Sequence, residues 1–387
     1  MFKKILVVNR GEINKRIQMT AQLMKIDTVF FDSQNPRDFF DITKIIDFAK
    51  KQKVDAIHPG YGFLSENAEF AATVQKNNLN FIGPNADFLK IFGNKNETTK
   101  LFNSHDIKTI PEVDENQLPA MLKMSDGAGG KGTFVVSSKE ELKDVNGQYR
   151  LEKIIENARQ IEIQVVSNGS DIEIIGIRDG SVQIRNQKMI EFSVAPSFFN
   201  FKQMIPKLNN IFSGYIGLAT IEFLFDVDIK ELYFMEVNPR IQVEHTVTEE
   251  STENDLVRIQ IELAAGIDTS FNAEFKKYAI EARVLAIDSN TLMPTPGRIT
   301  SVNLPNTIRI DNGFLYKNED ISPFFDPLLA KFIASGSNFK EAKQNLLDAI
   351  NQTKIIGIET NLKLIKKVLE DENFDEEKIT TRIIDNS

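Results

Sequence analysis

The stretch "MEVNPRIQVEH", residues 235–245, alternates polar and apolar side chains along its whole length. Every second position carries an ionisable or amide group, namely Glu236, Asn238, Arg240, Gln242 and Glu244. Because successive side chains of a strand point to opposite faces, this alternation predicts a strand with one almost wholly polar face. The question is which ligand such a face meets.

The residues before this stretch predict a hairpin that brings two carboxylates together. If its turn centres on Asp228–Lys230, Glu222 lies directly opposite Glu236. Like charges in that position destabilise a sheet, and a divalent cation between them would offset the repulsion. Mg²⁺ binds one or two carboxylates together with substrate phosphates, and Asn238 can add a carbonyl oxygen. A solvated strand face with unrelated charges is the alternative, and the spacing alone leaves both open.

The composition excludes several classes of function. The chain has 387 residues, 41% of them hydrophobic, which predicts two or three domains. Its formal net charge of −9 argues against nucleic acid as a partner, since nucleic-acid binders show a basic footprint. It has no cysteine and only three histidines, which excludes disulfides and thiolate ligands and disfavours a zinc site. No apolar run has the length of a secretory signal or a membrane span, so we expect a cytoplasmic protein.

The apolar pattern predicts a mixed fold, α/β at its start and α+β overall. Strand-like and helical stretches alternate from "KILVV" (4–8) to "LNFIGP" (79–84), which predicts a parallel sheet flanked by helices and closing near residue 86. The stretch "HPGYGFLSEN" (58–67) leaves the end of the third strand, where such sheets usually bind their ligands. From about residue 110, short strands joined by Gly, Asn or Asp turns predict antiparallel structure, and a third, mixed segment follows.

A glycine-rich loop, "KMSDGAGGKGTFVV" (123–136), lies between two predicted strands. Glycines let backbone N–H groups approach an anion closely, so the loop is a candidate phosphate site. It lacks the G-x-x-x-x-G-K-[ST] spacing of a P-loop, and a flexible hairpin tip is the alternative. The overlapping "AMLKM" (120–124) resembles the sequence at which biotin is attached to carrier domains. One residue is inserted there and Lys123 ends an apolar run, so we expect no covalent biotin on this chain.

Together these stretches resemble the biotin carboxylase family. The resemblance is carried, in chain order, by "KILVVNRGEI", "AIHPGYGFLSENAEF", "FIGP", "EFLF", "FMEVNPRIQVEHTVTE", "DLVRIQIELAAG" and "TPGRIT". It extends to the N-terminal part of pyruvate and propionyl-CoA carboxylases. The implied fold is a biotin carboxylase-like ATP-grasp, with an N-terminal parallel-sheet domain (1–86), an ATP-grasp domain (87–273) with a shortened lid at about 110–151, and a mixed C-terminal domain (274–387).

The resemblance also implies a reaction. ATP and bicarbonate give carboxyphosphate, and biotin on a separate carrier protein is then carboxylated, as in the first half-reaction of acetyl-CoA carboxylase in fatty acid biosynthesis. The implied cofactors are ATP and Mg²⁺ or Mn²⁺, with biotin as a carrier-bound substrate. The implied partners are a biotin carboxyl carrier protein, carboxyltransferase subunits and a second copy of the chain in a homodimer.

The resemblance assigns site residues one by one. The implied metal ligands are Glu222, Glu236 and Asn238, in agreement with the hairpin argument. The implied catalytic residues are Arg240, Glu244, Lys188 and Arg309. The implied ATP-binding residues are Lys95, Lys123, Gly129, Gly130, Glu152, Lys153, Ile155, Gln160 and Asn186. The residues implied to line the bicarbonate and biotin pockets are Gln242, Val243, Gly62 and Glu66.

The four implied catalytic residues have different roles. Arg240 is implied to hold bicarbonate, since a planar guanidinium suits a planar anion. Lys188 is implied to contact bicarbonate and phosphate, and Glu244 to act as the base. Arg309 is implied to stabilise the biotin enolate.

The sequence departs from the family pattern around the nucleotide. Gln160 and Asn186 stand where the family has His, and Asp126 stands in the glycine loop where a glycine is usual. Gln and Asn keep hydrogen-bonding capacity without a titratable ring, so these changes predict weakened ATP binding more than lost chemistry. Together with the shortened lid, they leave open a non-catalytic scaffold or regulatory paralogue. A second alternative is another ATP-grasp carboxylate ligase, which would share the Glu-x-Asn metal strand but join other substrates.

Overall fold

The structure, a computed structural model, describes residues 1–124, 133–143, 145, 149–184 and 187–384. The predicted ATP-binding residues Gly129, Gly130 and Asn186, and the acid Asp126, lie outside these residues. Within them, no helix has both the length and the apolar character that crossing a bilayer requires.

The first region is a parallel sheet with helices on both faces, as the alternating pattern predicts. Its strands are β1 (Lys4–Val7), β2 (Asp27–Phe30), β3 (Ala56–His58) and β4 (Asn80–Phe81), in the order β2-β1-β3-β4. Its helices are α1 (Glu12–Leu23), α2 (Ile42–Gln52) and α3 (Ala68–Lys76), with a 3₁₀ helix at Pro36–Phe40. Ile5 and Val7 pack with residues of α1, and Leu6 packs with residues of α2 and α3, so β1 is buried on both faces.

The loop that leaves β3 lies at the carboxyl edge of this sheet, where the sequence predicts a ligand face. Asn9, shortly after β1, donates from Nδ2 to the carbonyl oxygens of Pro59 (2.8 Å) and Tyr61 (2.7 Å). Gly60 and Gly62 have φ angles of +63° and +67°, which glycine adopts without strain. The loop is therefore tied to the sheet at its base.

A small antiparallel sheet follows two helices. The helices are α4 (Ala86–Gly93) and α5 (Lys95–Ser104), and the sheet contains β5 (Ala120–Met124), β6 (Thr133–Val136) and β7 (Tyr149–Lys153), with the short α6 (Lys139–Lys143). β5 is the central strand, and its Ala120 and Leu122 pack with Val136, Leu142 and Leu151 in a core of their own. This small sheet occupies the stretch for which the sequence predicts a shortened lid.

A larger antiparallel sheet, the main sheet, organises the rest of the chain. The strands of this region are β8 (Ala158–Asn168), β9 (Ile172–Ile184), β10 (Gln187–Ser193), β11 (Ile216–Asp226), β12 (Glu231–Asn238), β13 (Tyr278–Leu285), β14 (Gly297–Arg298), β15 (Ser301–Asn303), β16 (Arg309–Asn312), β17 (Asp320–Ile321), β18 (Leu328–Gly336) and β19 (Lys354–Ile356). The helices are α7 (Ile205–Ile211), α8 (His245–Thr252), α9 (Leu256–Ala264), α10 (Phe339–Gln352) and α11 (Leu362–Glu370), with a 3₁₀ helix at Phe201–Met204. The main sheet has the strand order β12-β11-β8-β9-β10-β13-β18-β16.

The two faces of the main sheet differ in chemistry. One face carries apolar side chains such as Ile163, Ile221 and Phe332, which belong to a core shared with α7 and α10. Because side chains alternate along a strand, the intervening positions place polar groups on the opposite face. The sheet is continuous across the domain boundary predicted near residue 274, since β10 pairs with β13.

The prediction of a strand over 235–245 is wrong in its second half. β12 ends at Asn238, and residues 239–244 form an irregular segment before α8. Pro239 has no N–H to donate to a neighbouring strand, and Ile241 is buried in a core formed with α1 and α9. The polar residues of this 239–244 segment therefore reach the site from a loop: Arg240, Gln242 and Glu244.

Candidate active site

Polar side chains of the main sheet gather on the face opposite the apolar core. They are largely buried and come from neighbouring strands: Glu162 (β8), Arg178 (β9), Lys188 and Glu191 (β10), Glu222 (β11), Glu281 and Arg283 (β13). The 239–244 segment adds Gln242 and Glu244 to this group through contacts with Arg178 and Arg283. We call these residues the polar cluster, and they form the candidate active site.

The hairpin register predicted from the sequence is confirmed. β11 and β12 pair with Glu222 directly opposite Glu236. A lysine approaches each acid of this pair, with Lys188 Nζ 3.1 Å from Glu222. Lys95 Nζ lies 2.9 Å from Glu236. Burial disfavours the charged form of Glu236, but Lys95, with Lys188 and Arg240, outweighs burial and lowers the pKa of this carboxyl, so it is ionised at neutral pH.

The donors around this acid pair fit a hard divalent cation that shares its coordination with phosphate. Asn238 donates from Nδ2 to Glu222 at 2.8 Å, and its Oδ1, the atom that would bind a cation, accepts from Arg240 at 3.0 Å. Within the described residues, no group of three or more His, Cys, Asp and Glu side chains is arranged to hold a metal by itself. Mg²⁺ suits such a sparse set, because it keeps waters and binds phosphate oxygens. Glu222 and Glu236 therefore fit the predicted metal, and Asn238 fits it once its amide oxygen is released from Arg240.

Lys188 connects the acid pair to Glu244. Its Nζ contacts Glu162 and lies 3.6 Å from Glu244, in addition to its contact with Glu222. Burial disfavours the charged ammonium, but Glu222 and Glu244 outweigh burial and raise the pKa of Lys188. One ammonium is thus shared by carboxylates from β8, β11 and the 239–244 segment.

Glu244 lies between two cations. Its carboxylate contacts the guanidinium of Arg283 and, at a longer distance, the ammonium of Lys188. Burial disfavours the charged form, but Arg283 and Lys188 outweigh burial and hold the pKa of Glu244 well below its usual range. The residue predicted to be the base is therefore unprotonated at neutral pH and able to accept a proton.

The loop after β3 meets the 239–244 segment through an ion pair. Arg240 Nε donates to Glu66 at 2.8 Å, and Arg240 Nη2 donates to Asn238 Oδ1 at 3.0 Å. Gly62 faces open space, because a Cβ added there would meet no atom within 4 Å. The structure therefore brings the predicted bicarbonate arginine next to the predicted metal ligand Asn238 and to the loop at 58–67, the predicted biotin loop.

Gln242 and Val243 are held by buried cations. Gln242 Nε2 donates to Glu222 at 2.9 Å, and its Oε1 accepts from Arg178 at 2.5 Å. The carbonyl oxygen of Val243 accepts from Lys331 Nζ at 2.8 Å. Both residues predicted to line the bicarbonate pocket thus have fixed positions.

Predicted nucleotide residues on the small sheet form an ion-paired group. Lys123 on β5 and Arg150 on β7 pair with Glu152 at 2.6 Å and 2.8 Å. Arg150 Nη1 also donates to Asn96 at 3.0 Å. Asn96 follows Lys95, whose ammonium contacts Glu236, so these contacts connect the small sheet to the acid pair.

The other predicted nucleotide residues have varied surroundings. Lys153 is exposed, while Ile155 is buried in a small apolar cluster with Tyr233. Gln160 Nε2 donates to Glu222 Oε2 at 2.5 Å. The residue that replaces the family's His thus contacts the acid pair directly.

The structure does not bring Arg309 to the polar cluster. Its guanidinium pairs with Glu249 (2.9 Å), Glu250 (3.3 Å) and Asp311 (2.8 Å). These residues line a cavity of about 530 Å³ together with Arg16, Asp255 and other side chains. We call Arg16, Glu249, Glu250, Asp255, Arg309 and Asp311 the outer cluster.

Sequence reasoning missed Arg283, although the signal was present. The stretch "YAIEARVLAID" (278–288) places Glu281 and Arg283 between apolar residues at alternate positions, as in the stretch at 235–245. In the structure Arg283 contacts Glu244, and Glu281 lies two residues away on the same face of β13. The alternation shows that the strand has a polar face, but only the pairing of β10 with β13 shows that this face joins the site.

Comparisons with known families match most of the chain. The model described as the biotin carboxylase N-terminal domain matches residues 31–89. The model of the ATP-binding domain of the carbamoyl-phosphate synthase L chain matches residues 96–271, and that of the biotin carboxylase C-terminal domain matches residues 281–386. These matches define an ATP-dependent ligase with an ATP-grasp core.

Relatives and solved structures narrow this class. The chain is 35% identical to biotin carboxylase 2 of Bacillus subtilis over 98% of both chains, and 34% identical to biotin carboxylase of Haemophilus influenzae over 97% of this chain and 96% of that one. The biotin carboxylase domain of Hydrogenobacter thermophilus 2-oxoglutarate carboxylase, a dimer with MgADP, ADP and bicarbonate, matches with a TM-score of 0.93 and 31% identity over 100% of this chain and 98% of that one. Campylobacter jejuni biotin carboxylase matches with a TM-score of 0.92 and 27% identity, over 100% of this chain and 99% of that one. The chain belongs to the biotin carboxylase family.

Proposed function

We propose that this chain uses ATP and bicarbonate to carboxylate biotin on a separate carrier protein, through carboxyphosphate. The observation that carries the proposal is the position of Lys188, which contacts the metal-binding acid Glu222 and lies beside Glu244. Phosphate chemistry and bicarbonate deprotonation therefore share one cation. A site of this kind can neutralise the charge on a transferring phosphoryl group next to the base.

At the phosphate end, Glu222, Glu236 and Asn238 would hold Mg²⁺ or Mn²⁺, and the metal would neutralise charge on the ATP phosphates. Lys95 and Lys123 supply further positive charge. Each lysine is paired with an acid, Glu236 and Glu152 respectively, and an arriving phosphate would compete for it. Hence nucleotide binding and the rearrangement of these ion pairs are coupled in this proposal.

At the bicarbonate end, Arg240 and the 239–244 segment bind the anion and Glu244 takes its proton. An anion near Arg283 and Lys188 partly neutralises their positive charge. The two cations then stabilise the ionised form of Glu244 less. The pKa of Glu244 then rises from its depressed value, and the carboxylate becomes a stronger base when its substrate is present. This explains why a strongly ion-paired carboxylate can still act in the reaction.

We assign the cation that stabilises the biotin enolate to Arg283 rather than to Arg309. Arg283 contacts the base Glu244, whereas the partners of Arg309 are the acids of the outer cluster. An enolate formed beside Glu244 would meet the guanidinium of Arg283 at short range. The loop carrying Gly62 and Glu66 is the side from which we expect biotin to enter.

The proposed partners are a biotin carboxyl carrier protein, carboxyltransferase subunits and a second copy of this chain, in the cytoplasm. The Hydrogenobacter domain, a dimer, supports the homodimer. The three predicted domains, 1–86, 87–273 and 274–387, remain part of the proposal. The family matches at 31–89, 96–271 and 281–386 lie close to these boundaries.

The proposal is tested by ADP release from purified chain with ATP and Mg²⁺. We expect ADP release to require bicarbonate and to increase when free biotin is added. The scaffold alternative, which the short lid and Gln160 motivate, predicts nucleotide binding without bicarbonate-dependent ADP release. Another ATP-grasp ligase would release ADP with no response to biotin.

A further inference from the structure

The two loops of the candidate site come from different regions of the chain. The loop at 58–67 follows β3 of the first sheet, and the 239–244 segment follows β12 of the main sheet. Arg240 and Glu66 join them near the surface, where the Glu66 side chain is 43% exposed. Exposed ion pairs contribute little stability, so this contact holds the loops only weakly.

A second set of polar contacts, buried beneath the Arg240–Glu66 pair, joins the same two loops. Lys331, on β18, is fully buried, and its Nζ donates to the carbonyl oxygen of Val243 at 2.8 Å. The same Nζ lies 3.5 Å from Oε1 of Glu12, in the first turn of α1. The hydroxyl of Tyr61, in the loop after β3, donates to that same oxygen. We call Tyr61, Glu12 and Lys331 the buried bridge.

Tyr61 remains a hydrogen-bond donor throughout the pH range of an assay. Burial and the carboxylate of Glu12 raise the pKa of its hydroxyl well above the usual value. The direction of each contact in the bridge is thus fixed: the hydroxyl donates to the carboxylate, and the ammonium donates to the carbonyl of Val243.

A lysine in this position is costly for the fold. Removing an ammonium from water carries a large desolvation penalty, and apolar side chains of similar volume often serve a core equally well. Asp311 adds a second carboxylate at 3.8 Å, which helps to hold the charge but makes no contact with either loop. The contact specific to Lys331 is the one to Val243, in the predicted bicarbonate pocket.

We propose that Tyr61, Glu12 and Lys331 are positioning residues that couple the loop at 58–67, the proposed biotin loop, to the 239–244 segment, the proposed bicarbonate loop. This inference rests on the proposed function, since that function names the substrates of the two loops. In this arrangement the loops move as one unit, so a change at either end of the bridge alters the binding of both substrates. None of the three residues is assigned a role in the chemistry itself.

The test uses Tyr61→Phe, Lys331→Met and the double variant in the full chain. We expect each single change to raise KM for both free biotin and bicarbonate by roughly five- to tenfold with a smaller effect on kcat, and the double variant to exceed the larger single effect only slightly. The decisive measurements concern the substrate of the loop that was not altered. They are KM for bicarbonate in Tyr61→Phe and KM for biotin in Lys331→Met.

Matched controls separate this effect from general loss of packing. Lys343→Met removes another lysine that donates to a backbone carbonyl, that of Phe374 at 2.8 Å. Tyr215→Phe removes another buried tyrosine hydroxyl, which donates to Leu218 O at 2.6 Å. Both controls should leave the two KM values unchanged. If Lys331→Met does not fold, Glu12→Gln serves in its place, because it weakens the link to Lys331 at nearly constant volume.

A second readout does not depend on activity. Hydrogen exchange of the amides at 240–244 should be faster in Tyr61→Phe than in wild type and in Tyr215→Phe. Unchanged exchange, or KM effects confined to the substrate of the altered loop, would overturn the coupling. A wild type without bicarbonate-dependent ADP release would refute the proposed function instead, and the exchange result would still decide whether the loops are coupled.

Discussion

The polar cluster and the outer cluster contain the same residue types, but their charges are bound differently. In the outer cluster two guanidiniums bind four acids directly: Arg16 binds Glu249 at 2.6 Å and Asp255 at 2.8 Å. Arg309 binds Asp311 at 2.8 Å and 3.0 Å through two nitrogens. In the polar cluster the ammonium of Lys188 is shared among acids from several elements.

The polar cluster also contains a second acid pair that is incompletely bound. Glu191 on β10 lies directly opposite Glu281 on β13, and each has one buried carboxylate oxygen without a hydrogen-bond partner. Burial, together with the charge of Glu244, raises the pKa of Glu191 to about 7. The same causes raise the pKa of Glu281 to about 8.

This difference separates the candidate active site from the ion-pair network of the outer cluster. Every acid of the outer cluster contacts Arg16 or Arg309, and each guanidinium already binds two or three acids, so an entering anion gains little there. The polar cluster instead has buried carboxylate oxygens without a hydrogen-bond partner among the described residues and one ammonium shared by several acids, so its charges can redistribute when an anion or a metal enters. Density of ionisable residues is therefore a poorer guide than the way in which each charge is bound.

The largest expected effect comes from Glu244→Gln, which keeps the shape of the base and removes its ability to take a proton. General base catalysis contributes about 10²- to 10⁴-fold, so we expect a rate loss of that order in bicarbonate-dependent ADP release. Nucleotide binding, measured by calorimetry, should be largely spared, because Glu244 does not contact the predicted ATP residues Lys95 and Lys123. Carboxylation at the wild-type rate would reject Glu244 as the base.

The next prediction compares one arginine from each cluster. Arg283→Ala should slow biotin carboxylation by about 10²-fold, and more than it slows bicarbonate-dependent ATP cleavage, because it removes an electrostatic contact to the enolate. Arg309→Ala should instead lower the unfolding free energy by about 3 kcal/mol, the lower end for removing one partner of a buried pair, with catalysis nearly intact. Equal losses of both activities in Arg283→Ala, or a selective loss of carboxylation in Arg309→Ala, would reverse the assignment.

A third prediction concerns the second acid pair and pH. Glu281 has a pKa of about 8 in the folded chain against an ordinary value of 4.5, so the folded state keeps a proton that the unfolded state releases. This contribution to stability is complete below about pH 4.5 and is lost as the pH rises through about 8. The unfolding free energy of Glu281→Gln, measured by urea titration, should therefore fall less steeply with rising pH than that of the wild type, between about pH 4.5 and 8. A variant whose curve runs parallel to that of wild type would exclude a protonated Glu281.

The smallest expected effect concerns Gln160. Gln160→Ala removes one donor to Glu222, and a hydrogen bond to a charged group contributes about 1.5–3 kcal/mol at most. Glu222 keeps Asn238 and Gln242 as donors, so we expect KM for ATP to rise by only about two- to fivefold. Steady-state kinetics at saturating Mg²⁺ would measure it. A loss of all ADP release would show that Gln160 is a central part of the metal site.

The sequence predicted the parts of the fold and site that depend on local patterns. Alternation of strands and helices indicated the parallel sheet, and the spacing around the 228–230 turn gave the pairing of Glu222 with Glu236, which the structure confirms. The strand expected at 235–245 failed beyond Asn238 because Pro239 cannot continue the ladder. Strand pairing between distant segments could not be read from local patterns, and it is this pairing that brings Arg283 into the site.

The most direct test of the central claim is the incorporation of labelled bicarbonate into free biotin by the purified chain. We predict labelled carboxybiotin that requires both ATP and Mg²⁺ in the wild type and forms about 10²- to 10⁴-fold more slowly with Glu244→Gln. A wild type that binds nucleotide and Mg²⁺ normally but leaves biotin unlabelled would contradict the claim that the shared charges of the polar cluster form an active site.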